Sequence, residues 1–207
     1  MKILKILCLT VSLLLLAAIP VMAGEQTLFG NSNDSVSVWG IELKGAPSYG
    51  GNPGLWLGGY SGKIMNDGSL YLGSAGYLLV TPTVAPTGAP PITGFDTNIC
   101  LFYFGLNGEY VLNPSSLIHV SGSMLVGLCY AKYLGIAPGN VYNIDDGISG
   151  LFLMAEPGVN VMMNVTESFK AGVGVSYRFV SGPDLEGLAN GDLSALSVNL
   201  ILRFVEF

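Results

Sequence analysis

The single histidine of this 207-residue chain stands beside a serine in His119-Val120-Ser121. On an extended backbone the imidazole and the hydroxyl share one face, and a histidine base so placed could activate a serine nucleophile. That chemistry also needs a carboxylate to orient the imidazole, and no Asp or Glu lies between Ser121 and Asp145. The other reading is a pair of polar groups facing the inside of a sheet. A second constellation comprises Glu156, Lys170, Arg178 and Arg203, with Asn160 and Asn199. These residues fall on interior parities of three successive segments, as a buried ion-pair network or an ion path would require. Pairing about a turn near Thr166 sets Glu156 opposite Ser176 and diagonal to Arg178. Pro157 cannot donate a ladder hydrogen bond, so a bulge is expected at Pro157-Gly158. Pairing about Asn113-Pro114 sets Cys100 opposite Gly127 and makes Cys129 its diagonal neighbour, as a disulfide or as two small packing residues. The acids Asp145, Asp146, Asp184, Glu186 and Asp192 show no calcium-loop spacing and read as solvated loop charge. Zinc spacings and phosphate-binding glycine loops are absent from the sequence, so no cofactor and no metal site is expected.

The elements that hold these residues follow from composition and period. Only 11% of the residues are charged, against about 25% in an ordinary soluble domain. The formal charge of −6 disfavours binding to a phosphate backbone. Residues 1–23 read as a signal peptide: Lys2 and Lys5 open it, Ile6 to Ile19 is apolar, Pro20 breaks the run, and Val21-Met22-Ala23 offers a cleavage site. Removal leaves residues 24–207 as one domain with 6 bases against 14 acids, a charge of −8.

That domain alternates at period two. Phe169, Ala171, Val173, Val175, Tyr177 and Phe179 share one face, with Lys170, Gly172, Gly174, Ser176 and Arg178 on the other. Ile118–Tyr130 and Leu196–Phe204 repeat the pattern. Strands are predicted near 36–44, 54–65, 69–80, 95–111, 116–131, 148–163, 169–180 and 196–206. The turns Asn66-Asp67-Gly68, Asn113-Pro114-Ser115 and Asn164 to Ser168 are short. Gly45 to Pro53, Thr81 to Gly94, Lys132 to Gly147 and Ser181 to Ala195 are long and rich in Gly and Pro. Short and long connections alternate, as they do in outer-membrane barrels. The expected fold is therefore all-β: a closed antiparallel up-and-down β-barrel of eight strands, transmembrane in type, with its apolar face toward lipid. A soluble exported barrel holding a small apolar ligand is the alternative, but its wetted face should be rich in Lys, Glu and Asp, not in Gly and Ser. Trp39, Trp56, Tyr60, Tyr71, Tyr103, Tyr130 and Tyr177 are candidates for aromatic girdles at the two membrane interfaces.

Residues 156–160 (Glu-Pro-Gly-Val-Asn), Asn164-Val165-Thr166, Phe169, Gly172, Gly174, the run Ser176 to Gly182, Asp184-Leu185, Gly187-Leu188 and Asp192-Leu193-Ser194 carry a resemblance. Weaker echoes are Gly58-Gly59-Tyr60 and His119-Val120-Ser121 with Gly127. From about Gly54 onward the chain resembles an uncharacterised family of exported outer-membrane β-barrel-like proteins of Bacteroidetes type. The resemblance implies fold and export to the outer membrane of a Gram-negative cell, and no activity. At His119-Val120-Ser121 the chain is also similar to outer-membrane lipid A deacylases, which would imply a membrane-embedded esterase. Such barrels commonly end in an aromatic residue with apolar alternates. Here Phe207 is present, but the apolar series runs on the other parity to Phe204, so a bulge near the terminus or a degenerate signal is expected. The expected partners are membrane lipids, with an extracellular ligand or protein at loops such as Thr81 to Gly94 and Ser181 to Ala195. The expected role is structural or surface-interactive and not enzymatic.

Overall fold

The computed structural model describes residues 36–206, except 50, 66–67, 93, 138–140, 144–147, 183–184 and 190. The expected signal peptide and Phe207 lie outside the described residues. Eight long strands form the wall: β1 (Val36–Pro47), β2 (Pro53–Met65), β3 (Leu70–Leu79), β5 (Asp96–Leu112), β6 (Ile118–Ala137), β8 (Ser149–Asn164), β9 (Phe169–Ser181) and β10 (Ala195–Glu206). Two short strands, β4 (Thr83–Val84) and β7 (Val141–Asn143), extend β5 and β6 at one end. Each wall strand pairs antiparallel with its sequence neighbour, and β1 pairs with β10 from Ser37↔Glu206 to Gly45↔Val198. The sheet is therefore a closed barrel.

Closure follows from the period-two pattern. Along β9, Val173, Val175, Tyr177 and Phe179 point outward, while Ser176 and Arg178 are buried inside. β10 repeats this with Leu196, Val198 and Leu200 outside and Ser197, Asn199 and Arg203 inside. Exposed apolar side chains occur on all eight wall strands, the extremes being Leu106 at 76%, Leu153 at 69% and Val198 at 62%. The outer belt ends in aromatic clusters. At the end bearing the chain termini and short turns, Trp39 stacks on Phe204 at 4.3 Å and Phe169 packs on Phe204 at 5.2 Å. At the other end Phe102 meets Tyr130 at 4.9 Å and Tyr177 meets Phe179 at 4.5 Å. Of the expected girdle, Trp39, Tyr130 and Tyr177 face out. Trp56, Tyr60, Tyr71 and Tyr103 are buried in the interior, because their positions carry the inward parity of β2, β3 and β5.

Several local expectations are corrected. The connection expected over Gly45 to Pro53 shrinks to residues 48–52, since β1 and β2 stay paired out to Pro47↔Pro53. The loop expected over Lys132 to Gly147 is largely ribbon, because β6 runs on to Ala137 and β7 folds back against it. No bulge occurs at Pro157-Gly158. The β8–β9 register is the same before and after it (Ala155↔Phe179, Gly158↔Ser176), and only the ladder pairing at Glu156 and Pro157 lapses. Proline's missing N–H interrupts the ladder without inserting a residue. β10 likewise keeps its alternation as far as Glu206, so no bulge resets its phase within the described residues.

The interior is narrow, and glycine makes it fillable. A Cβ on Gly58 would overlap the Tyr77 ring and the Gly76 carbonyl, and one on Gly40 would overlap the Tyr60 ring. Each ring lies flat over its ladder partner on the adjacent strand only because that partner has no side chain. Gly122 on β6 has open space around it. Gly58→Val should lower stability by about 1–3 kcal/mol or more through overpacking, whereas Gly122→Ala should stay within about 0.5 kcal/mol. Urea unfolding of the two variants in detergent checks this.

Candidate functional site

The chemistry of the molecule lies inside the barrel, in three levels. Val38, Ile64, Tyr71, Val111, Met162 and Val205 form an apolar floor toward the short turns. His119 lies among them, with Nδ1 3.4 Å from the Ser116 carbonyl and no protein partner for Nε2. The Ser121 hydroxyl accepts from Asn160 Nδ2 at 3.5 Å. Both residues of the pair are thus buried in the interior near the turn end, with contacts to Ser116 and Asn160.

Charge collects in the middle level. Lys44 Nζ lies 2.5 Å from Glu156 Oε1 and 3.8 Å from Glu42, and sits 3.6 Å over the Tyr77 ring. Tyr77 donates its hydroxyl proton to Glu42 at 2.5 Å. Glu156 also accepts from Ser176 Oγ at 2.7 Å, and Asn199 Nδ2 donates to that serine at 3.1 Å. Alongside, Arg203 pairs with Glu109 at 2.5 Å and donates through Nε to the Tyr60 hydroxyl at 3.0 Å. A low-dielectric interior makes each unpaired charge costly, so Lys44 and Arg203 are each paired with a carboxylate and the groups are tied by hydroxyls and amides.

Arg178 belongs to the upper level. Its guanidinium lies 4.2 Å over the Trp56 ring. Its Nε donates to the Leu193 carbonyl at 2.9 Å and its Nη2 to the Pro47 carbonyl at 3.4 Å. Above it the connections at the loop end fold inward. Leu185, Leu188 and Leu193 are buried in one cluster with Phe152 and Tyr133 of the wall, Ile92 is buried beside Gly135, and Tyr133 donates to the Glu186 carbonyl at 2.7 Å. At Gly88 and Gly187 the two connections touch backbone to backbone; a Cβ on Gly187, whose φ is +87, would strike Gly88 and Ala89. The loops expected to carry an interaction surface thus also roof the barrel.

The structure gathers five of the six expected interior residues: Glu156, Arg178, Arg203, Asn160 and Asn199 are all buried inside. Lys170 is only half-buried, at the turn end of β9 opposite Arg203. The β8–β9 register differs by two residues from the expected one, so Glu156 stands at the level of Arg178 and reaches Ser176 diagonally. An even shift preserves the face. The shift between β5 and β6 is odd. Cys100 pairs with Lys132, not Gly127, and Cys129 pairs with Tyr103. Cys100 therefore faces outward and Cys129 inward; both thiols are free, and the disulfide is excluded by geometry. The cause is the turn: Asn113 adopts φ +51, Ser116 N bonds to Asn113 O at 3.0 Å, and the reversal extends to Leu117. Glu42, Lys44, Glu109, Tyr60 and Tyr77 were not singled out as partners. The isolated charges at Glu42, Lys44 and Glu109 within otherwise apolar strands were the available signal.

No family model matches the chain, and no curated protein does. Among solved structures, neisserial surface protein A aligns at 15% identity and TM-score 0.50, covering 84% of this chain and 97% of its own. The N-terminal β-barrel domain of Pseudomonas aeruginosa OprF aligns at 16% identity and TM-score 0.51, covering 83% and 96%. The fold is that of small outer-membrane β-barrels.

Two outcomes follow from the interior. Lys44→Met strands Glu156 and Glu42 without their cation and should cost about 3–5 kcal/mol, while Lys44→Met with Glu156→Met should recover much of that loss; a double-mutant cycle by urea unfolding measures it. The packing of Leu185 and Leu188 and the bond from Tyr133 to the Glu186 carbonyl should hold this backbone too rigidly for a glutamate-specific protease to cut the folded wild type, and Leu188→Asp should admit cleavage there, read by mass spectrometry.

Proposed function

We propose that this chain is a small outer-membrane β-barrel protein of a Gram-negative cell, exported through a cleaved signal peptide, with a structural or surface-interaction role and no enzymatic one. The observation that carries the reading is the apolar belt. It runs over all eight wall strands, with residues such as Leu106, Leu153 and Val198 more than half exposed. Soluble monomers rarely expose apolar patches beyond a few hundred Å². A barrel in lipid needs such a belt, with aromatic clusters at its two rims. Ring closure also supports the reading, since every wall strand is paired on both sides and no open edge need face hydrocarbon.

The filled lumen favours a structural or adhesive role over transport. The cavity lined by the central network is about 30 Å³, too small for an apolar ligand, so the alternative of a soluble exported barrel holding one gains no support. The surface offered to the outside is then the upper side of the roof, built from the described residues of 80–95 and 182–194, and an extracellular ligand or protein would meet it there. The contacts of His119 with Ser116 and of Ser121 with Asn160 suit interior packing better than an esterase pair. The family resemblance gains a physical reason in this frame. Glu156, Asn160, Ser176 and Arg178 are interior network residues, and Leu185, Leu188 and Leu193 are roof leucines. Membership of a Bacteroidetes-type family is part of this proposal.

The test is expression of the full chain in a Gram-negative host. The protein should fractionate with outer membranes, require detergent for extraction, shift in gel mobility on boiling, and show no ion leak in liposomes. Monodisperse protein in detergent-free buffer would overturn the reading.

A further inference from the structure

The charges of the interior balance as a whole, but not at its centre. Glu42, Glu109 and Glu156 face Lys44, Arg178 and Arg203 among the buried charged residues. Arg178, however, is drawn upward to the Leu193 and Pro47 carbonyls and does not line the central cavity. The cavity wall holds all three acids with only Lys44 and Arg203, a local surplus of one negative charge. Its unpartnered polar atoms point the same way. Glu109 Oε1, Glu156 Oε2 and Asn199 Oδ1 are buried, belong to residues lining the cavity, and have no protein partner. All three are acceptors. The Asn199 carbonyl is left free because its amide nitrogen is held by Ser176 Oγ at 3.1 Å. Unpartnered groups able to donate exist too, at Trp56 Nε1, Tyr71 Oη, Tyr103 Oη, Arg178 Nη1 and Ser197 Oγ, but those residues lie outside the cavity wall.

We propose that this cavity is a binding site for one small monovalent cation: sodium, potassium or ammonium. Water satisfies the three oxygens but leaves the surplus charge, which a proton on Glu42 or a bound cation must remove where an unpaired charge is costly; a single cation does both at once. The volume of about 30 Å³ admits a bare ion with a water, or ammonium, and excludes larger organic cations. No three carboxylate, imidazole or thiolate ligands converge on one point among the described residues. The mixed set of single carboxylate oxygens, an amide oxygen and hydroxyls therefore suits a monovalent ion rather than calcium or magnesium, which demand more, or more regular, oxygen ligands. The site does not depend on where the barrel resides in the cell.

Full-length protein refolded into detergent with sodium, potassium, ammonium or N-methyl-D-glucamine chloride at matched ionic strength provides the test. At least one small cation should raise Tm by about 3 °C or more over N-methyl-D-glucamine. Glu42→Gln removes the surplus charge while leaving Tyr77 an acceptor, and should abolish that difference. Wild-type crystals grown with rubidium or thallium should show an anomalous peak between Asn199 and Glu109 or Glu156, a readout that stands even if the variant fails to fold. Equal Tm in all four salts, a salt effect unchanged in Glu42→Gln, or a cavity holding water alone would each overturn the assignment.

Discussion

Everything inside this protein is shaped by the closure of β1 onto β10. Once Ser37 stands against Glu206 and Gly45 against Val198, the sheet has no edge and its interior has a fixed, small cross-section. An eight-stranded barrel is just wide enough for side chains to fill it. Each inward position must then share space with its neighbours on the adjacent strands and across the lumen. That is why Tyr60 and Tyr77 lie over their ladder partners Gly40 and Gly58, and why long polar side chains are packed as tightly as apolar ones.

The same constraint decides where charge can go. A carboxylate on an inward position of a closed sheet cannot turn to water, so it must find its partner across the lumen. Glu156 meets Lys44 from a strand on the far side of the sequence, and Glu109 meets Arg203. Apolar levels above and below keep this layer dry. The floor comes from strand residues alone, whereas the roof needs leucines delivered by the 182–194 connection and held by Tyr133 and Arg178. A polar centre between two largely apolar levels leaves the outer belt free to be uniformly apolar. Buried ion pairs of this kind add little net stability, but they penalise any other register, because a slipped strand would strand a charge.

Much of the architecture is legible along the chain because period two is a local property. Whether Val175 and Gly174 face opposite ways depends only on an extended backbone, so eight strands, their two faces, the short turns and the inward placement of Glu156, Asn160, Arg178, Asn199 and Arg203 can be read without coordinates. Strand length is less local: Pro47 and Pro53 remain paired beyond Gly45 and Trp56, where the ladders to β10 and β3 stop. Register is not local at all. The reversal after Leu112 takes more residues than Asn113-Pro114 suggests, and that odd offset turns Cys100 out and leaves Cys129 in.

What the linear order of residues determined by itself, then, is alternation: which side chains share a face, where the chain reverses, and that the apolar face is continuous. Tertiary structure alone decided who meets whom across the lumen. Glu42, Lys44 and Tyr77 acquire their roles only when the cylinder closes and brings β1, β3 and β8 within reach of one another. The folding of Leu185, Leu188 and Leu193 over the mouth also belongs to this level, since a leucine in a loop finds a core only after the wall around it exists. Faces follow from backbone geometry repeated every two residues; partners follow from register and closure, which sum contributions from the entire ring.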